Sequence, residues 1–94
     1  MVGETVFEYE EARDKVKDIE STASKLAFFI LEREGAEMTR EQLLEETLLD
    51  ERTLRNAFSN LEEEDIAYRR DQPMNNKRNL YGLNTEEFDQ PKYF

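Results

Sequence analysis

Apolar positions return every three or four residues through the first two thirds of the chain and every second residue after that. The pattern predicts a run of helices followed by a hairpin. Residues 1–7 form a short lead in which Thr5, Val6 and Phe7 suit a brief extended piece or a clasp on another element. From Glu8 to Ile19, Tyr9, Ala12, Val16 and Ile19 share one face among charges, which predicts an amphipathic helix of about three turns. Ser21-Thr22-Ala23-Ser24 either caps a new helix or is absorbed into a continuous one, and a break is favoured. Lys25 to Glu34 is apolar almost all round. It predicts the most buried helix, with Leu26, Phe29 and Ile30 in the core, and Gly35 ends it by supplying a positive φ.

After a connection or single-bridge strand at Ala36–Met38, Thr39-x-x-Gln42 has the form of a capping box, in which each side chain satisfies the other residue's backbone donor. A short helix carrying Leu43, Leu44 and Thr47 follows. Leu48 and Leu49 then lead to Asp50, an N-cap, with Glu51 at the positive end of the next helix dipole. That next helix, 51–64, turns Leu54, Phe58 and Leu61 inward. Its other face holds Arg52, Thr53, Arg55, Asn56, Ser59 and Asn60 and no acid. The acids Glu62 to Asp65 sit unfavourably at the negative end of the dipole, so that end belongs in solvent. Ile66 to Arg70 alternates as a half-buried strand, Asp71 to Asn76 holds Pro73 and two Asn as turn formers, and Lys77 to Leu83 returns as a second strand. Thr85 to Phe88 suits one more helical turn, before a short tail.

The predicted fold is therefore mainly α with a β-hairpin, of the α+β class. Ninety-four residues fit one such domain, with 1–21 as lead and first helix, 22–84 as the body and 85–94 as a short turn and tail.

Charge changes the picture in one place. The net charge is -10, which speaks against a polyanionic partner for most of the surface. Yet residues 52–60 carry two arginines and no acid, and residues 69–78 carry Arg69, Arg70, Lys77 and Arg78 against Asp71 alone. Five lysines against 23 acids also fit a host with a salty cytoplasm, although an ordinary acidic protein kept soluble by its charge accounts for them as well. The sequence has no Cys and no His, which removes thiolate and imidazole ligands and the usual general base. No pair of carboxylates stands out as acid and base. No catalytic residue, metal site or cofactor is expected, so the chain is not expected to be an enzyme. No apolar run approaches the roughly 20 residues of a membrane span, and no export signal is present, so a cytoplasmic protein is expected.

Thr39 to Leu44, Leu49 to Leu61, the Leu61-Glu62-Glu63-Glu64-Asp65-Ile66 segment, Arg69-Arg70 and Arg78 to Leu83 together resemble the winged helix-turn-helix domains of MarR-like regulators, many of them archaeal or bacterial. The family usually has Ala at the position of Leu44, Leu at Thr47, and Gly at both Leu48 and Asp65. The resemblance implies a transcriptional regulator that binds double-stranded DNA. Its recognition helix, 51–64, would enter the major groove and its wing, 69–81, would lie on the flanking backbone or minor groove.

On this resemblance Arg52, Thr53 and Asn56 face base edges, where Arg suits guanine and Asn suits adenine. Arg55, Ser59 and Asn60 meet phosphates or edge bases, and Asn75, Asn76, Lys77 and Arg78 sit at the wing tip, with Arg69 and Arg70 flanking it. Plainer readings stand beside these. The helix face is an ordinary solvated surface, the wing's charge guards an edge strand, and Arg69 and Arg70 pair with the Glu62–Asp65 group. A homodimer is expected, because one small module makes few phosphate contacts, and the helix at Glu8–Ile19 with the tail is the candidate contact. The rival function is a winged helix in a transcription or replication assembly that binds a basic protein partner through its acidic surface.

Overall fold

The computed structural model describes residues 7–72, 75–86 and 88, the side chains of 72 and 75–78 excepted. In chain order come α1 (Tyr9–Lys17), α2 (Thr22–Glu34), β1 (Met38–Thr39), α3 (Arg40–Thr47), α4 (Glu51–Glu63), β2 (Ala67–Gln72) and β3 (Asn75–Leu83). The sheet is antiparallel in the order β1-β3-β2, with β3 in the centre.

Local chemistry sets the helix ends. Ser21 accepts from the Ser24 N–H, so α2 starts three residues earlier than the apolar run implies and the break after α1 is real. Gly35 closes α2 at φ 74°. Thr39 and Gln42 form the reciprocal capping box that opens α3. Asp50 accepts from the Thr53 N–H at 2.7 Å to open α4.

Two further caps use residues that are not glycine. Leu48 ends α3 at φ 59° with its N–H on the Leu44 carbonyl, and Asp65 follows α4 at φ 60°. Around Asp65 the Ile66 N–H reaches the Leu61 carbonyl and the Asp65 N–H the Glu62 carbonyl, which is a Schellman closure with the buried pair Leu61 and Ile66 against it. These are the two positions at which the MarR-like pattern has glycine. Here Leu48 and Asp65 carry the left-handed backbone.

The core lies where α2, α4 and the sheet meet. Phe28, Leu31, Leu43, Leu54, Phe58, Leu61, Ile66 and Leu83 are fully buried. Each side chain of this size removed from water stabilises the fold by about 1.5–3 kcal/mol. Phe58 meets Tyr81 of β3 edge to face at 4.7 Å, tying α4 to the central strand. Between the helices, Ser24 donates to the Ala57 carbonyl at 2.8 Å.

Several expectations are corrected. Phe29 is not core: it is 52% exposed, because α4 covers the opposite side of α2 and the nine residues of α1 cover only part of what remains. Leu26 is only partly buried. The apolar stripe of α1 does not wait for a second copy, since Ala12 and Val16 are buried in the chain's own core and Ile19 packs against it. The hairpin is longer than expected, with strand pairing continuing through Gln72 and resuming at Asn75 past a register shift at Asp71/Gln72. The short β1 adds a third strand to it. Thr85 to Phe88 closes a single turn, the Phe88 N–H on the Thr85 carbonyl. Phe7 does act as a clasp, through a parallel bridge to Thr85 with hydrogen bonds to Asn84 and from Glu86. Thr5, Val6 and the tail beyond Phe88 lie outside the described residues.

Candidate nucleic-acid interface

The helix-turn-helix is α3, the turn at Leu48–Asp50, and α4, with the hairpin β2–β3 directly after it. A helix that buries Leu54, Ala57, Phe58 and Leu61 must present the positions between them elsewhere, and α4 does so. Arg52 and Asn56, four residues apart, are exposed on its outer face, as is Arg55, whose side chain is 61% exposed.

The other expected positions on α4 are partly engaged. Asp50 caps the helix start by accepting from the Thr53 backbone N–H. The carboxyl of Asp50 is held below the usual carboxylate range, chiefly by the Thr53 backbone N–H and further by the Thr53 side chain. Ser59 donates back to the Arg55 carbonyl at 3.0 Å, along its own helix. Asn60 turns toward α2, where its amide donates to the Ser24 hydroxyl at 3.3 Å, so it stands between two helices.

On the sheet, Arg69 pairs with Glu62 at 2.8 Å, which is the acidic segment named as its alternative partner. Burial alone would lower the Arg69 pKa, but the hydrogen bond and charge of Glu62, with help from Tyr81, raise it above the ordinary arginine value. Arg70 pairs instead with Glu37, through two bonds at 2.6 and 2.9 Å. Glu37 also accepts from the Tyr68 hydroxyl, and the Arg70 and Glu37 side chains are 15% and 10% exposed. Glu37 was not singled out in the sequence. Its partners are 31 and 33 residues away, and no local pattern announces them. Asn75, Asn76, Lys77 and Arg78 lie in the first part of β3, and their side chains are outside the described residues.

Arg40 is a second position that the sequence reading passed over. It opens α3, and its guanidinium crosses the turn to Glu51, the first residue of α4, at 2.8 Å. Glu51 lies also 4.0 Å from Arg55. The pair joins the first residues of the two helices, 11 positions apart, and no local pattern announces it. Among the described residues no cluster of acids, His or Cys is arranged to hold a metal ion, and no helix is long and apolar enough to cross a membrane.

The fold is that of a winged helix-turn-helix protein. It matches the crystal structure of the transcriptional regulator PA4135 with a TM-score of 0.62 and 20% sequence identity, over 80% of this chain and 53% of that one. The chain thus spans about half the length of that protein. No family model matches the sequence, and no curated protein matches it.

Proposed function

We propose that the chain is a sequence-specific, double-stranded-DNA-binding transcriptional regulator of MarR-like type, not an enzyme, working in the cytoplasm as a homodimer. The observation that carries this reading is the acid-free, exposed front of α4 at Arg52, Arg55 and Asn56, in the helix after the turn of a winged helix-turn-helix. Arg52 and Asn56 read base edges in the major groove. Arg55 takes phosphate, and Thr53 and Ser59 lie at the margins of the contact. The tip of the hairpin, with Asn75, Asn76, Lys77 and Arg78, lies on the flanking backbone or minor groove. Arg69 and Arg70 serve the interface by fixing the hairpin to Glu62 and Glu37. Residues 22–84 are the DNA-binding body and 1–21 and 85–94 flank it.

The fixed partners of Arg69 and Arg70, together with the net charge of -10, also favour a second reading, a winged helix that docks on a basic protein through its acidic surface. A gel mobility shift of mixed duplex DNA across a salt series separates the two. DNA binding predicts a shift that fades with salt and weakens in Arg52→Ala with Arg78→Ala. No shift at low salt, or no effect of the two substitutions, removes the DNA reading.

A further inference from the structure

We propose that Arg40 is a phosphate contact on the DNA-facing edge and that Glu51 occupies it in the free protein, standing in for the phosphate. The inference rests on the DNA reading of α4 and extends it to a residue outside that helix. Arg40 and Glu51 are the first residues of α3 and α4, and the pair at 2.8 Å puts the Arg40 guanidinium beside the start of the helix that presents Arg52 and Arg55. The same carboxylate lies 4.0 Å from Arg55, and Glu41 lies 3.8 Å from Arg40, so Glu51 is the acid shared by the two arginines and the nearer of the two beside Arg40.

The side chains of Arg40, Glu51 and Arg55 are 38%, 52% and 61% exposed. Ion pairs in such positions are weak, and water and salt screen them. A phosphate of the duplex is a better partner for a guanidinium than a lone solvated carboxylate, because its neutralisation releases condensed counterions. Arriving DNA therefore takes Arg40 and Arg55 from Glu51. Breaking the Arg40–Glu51 pair is a cost set against the phosphate contact that Arg40 makes, so Glu51 weakens binding to every sequence alike.

The test measures binding of a fluorescein-labelled mixed-sequence duplex by anisotropy across a salt series. The proteins are wild type, Glu51→Gln, Arg40→Ala and the double variant, each checked by thermal melting for an intact fold. Glu51→Gln is expected to tighten binding by about two- to fivefold at about 0.1 M salt, the cost of breaking one exposed ion pair. Its plot of log affinity against log salt is expected to steepen, because the ion pair that opposes binding is strongest at low salt. In the Arg40→Ala background most of that tightening is expected to vanish, since the freed arginine is absent. Equal tightening in both backgrounds means that Glu51 acts only by general repulsion and overturns the proposal, as does no tightening or a loss of affinity. If no variant shifts the anisotropy at low salt, the DNA reading itself fails, and this proposal with it.

Discussion

Replacing Leu48 by Gly is expected to stabilise the protein. Leu48 sits at φ 59°, ψ 21° at the end of α3, and its side chain is 88% exposed. A left-handed backbone costs an L-residue about 1–2 kcal/mol, because Cβ crowds the following carbonyl oxygen. With the side chain in water, Gly forfeits almost no burial in exchange. It does make the unfolded chain more flexible, which costs about 0.4–1 kcal/mol. The difference is a net gain of about 0.5–1 kcal/mol, with the Leu48 N–H still on the Leu44 carbonyl. For a domain of this size that raises Tm by about 2–8 °C.

Thermal melts followed by circular dichroism, with urea titrations beside them, measure the effect. Leu48→Ala is the control. It keeps the Cβ and the strain, and is expected to leave Tm nearly unchanged. Asp65→Gly, at φ 60°, is expected to gain less, because Asp tolerates this region better than Leu. A fall in Tm for Leu48→Gly, or an equal rise for Leu48→Ala, would refute the strain argument.

Three other outcomes follow from the same geometry. Glu37→Ala strands the Arg70 guanidinium and removes the acceptor of the Tyr68 hydroxyl in a mostly buried setting, so urea denaturation is expected to show a loss of about 3 kcal/mol, partly recovered in Glu37→Gln with Arg70→Met. Gly82→Ala drives a Cβ into the ring of Tyr68, whose hydroxyl is anchored on Glu37, and the overpacking is expected to cost about 1–3 kcal/mol, read as a lower urea midpoint with an unchanged slope. Because the folded pKa of Asp50 lies below its unfolded value, its contribution is full above the usual carboxylate range and is lost as pH falls through the folded value. Asp50→Asn, which still caps, is therefore expected to lose less Tm than wild type between neutral pH and that acid range, and identical acid profiles would contradict this.

The elements that rest on neighbours in sequence were legible before the structure. The Thr39–Gln42 box, the Asp50 cap, the Gly35 terminator and the Leu54–Phe58–Leu61 stripe are each specified within one or two turns. Features set by which element covers which were not. Phe29 has the sequence surroundings of a core residue and is half exposed because α1 covers only part of that side of α2. The candidate site divides along the same line. The exposure of Arg52 and Asn56 follows from helical periodicity. The engagement of Asn60 with Ser24, Arg70 with Glu37 and Arg40 with Glu51 depends on partners 36, 33 and 11 residues away, brought together only by the packed fold.

Selection of bound sequences from a random duplex pool tests the central claim most directly. If α4 reads DNA as part of a dimer, the pool converges on a two-fold symmetric motif with half-sites about one helical turn, roughly 34–36 Å, apart. Asn56→Ala then relaxes the preference at one position of each half-site, at a cost of about 1–3 kcal/mol. A pool that stays random after repeated rounds at low salt, or a motif that Arg52→Ala and Asn56→Ala leave unchanged, would contradict the assignment of α4 as the recognition helix.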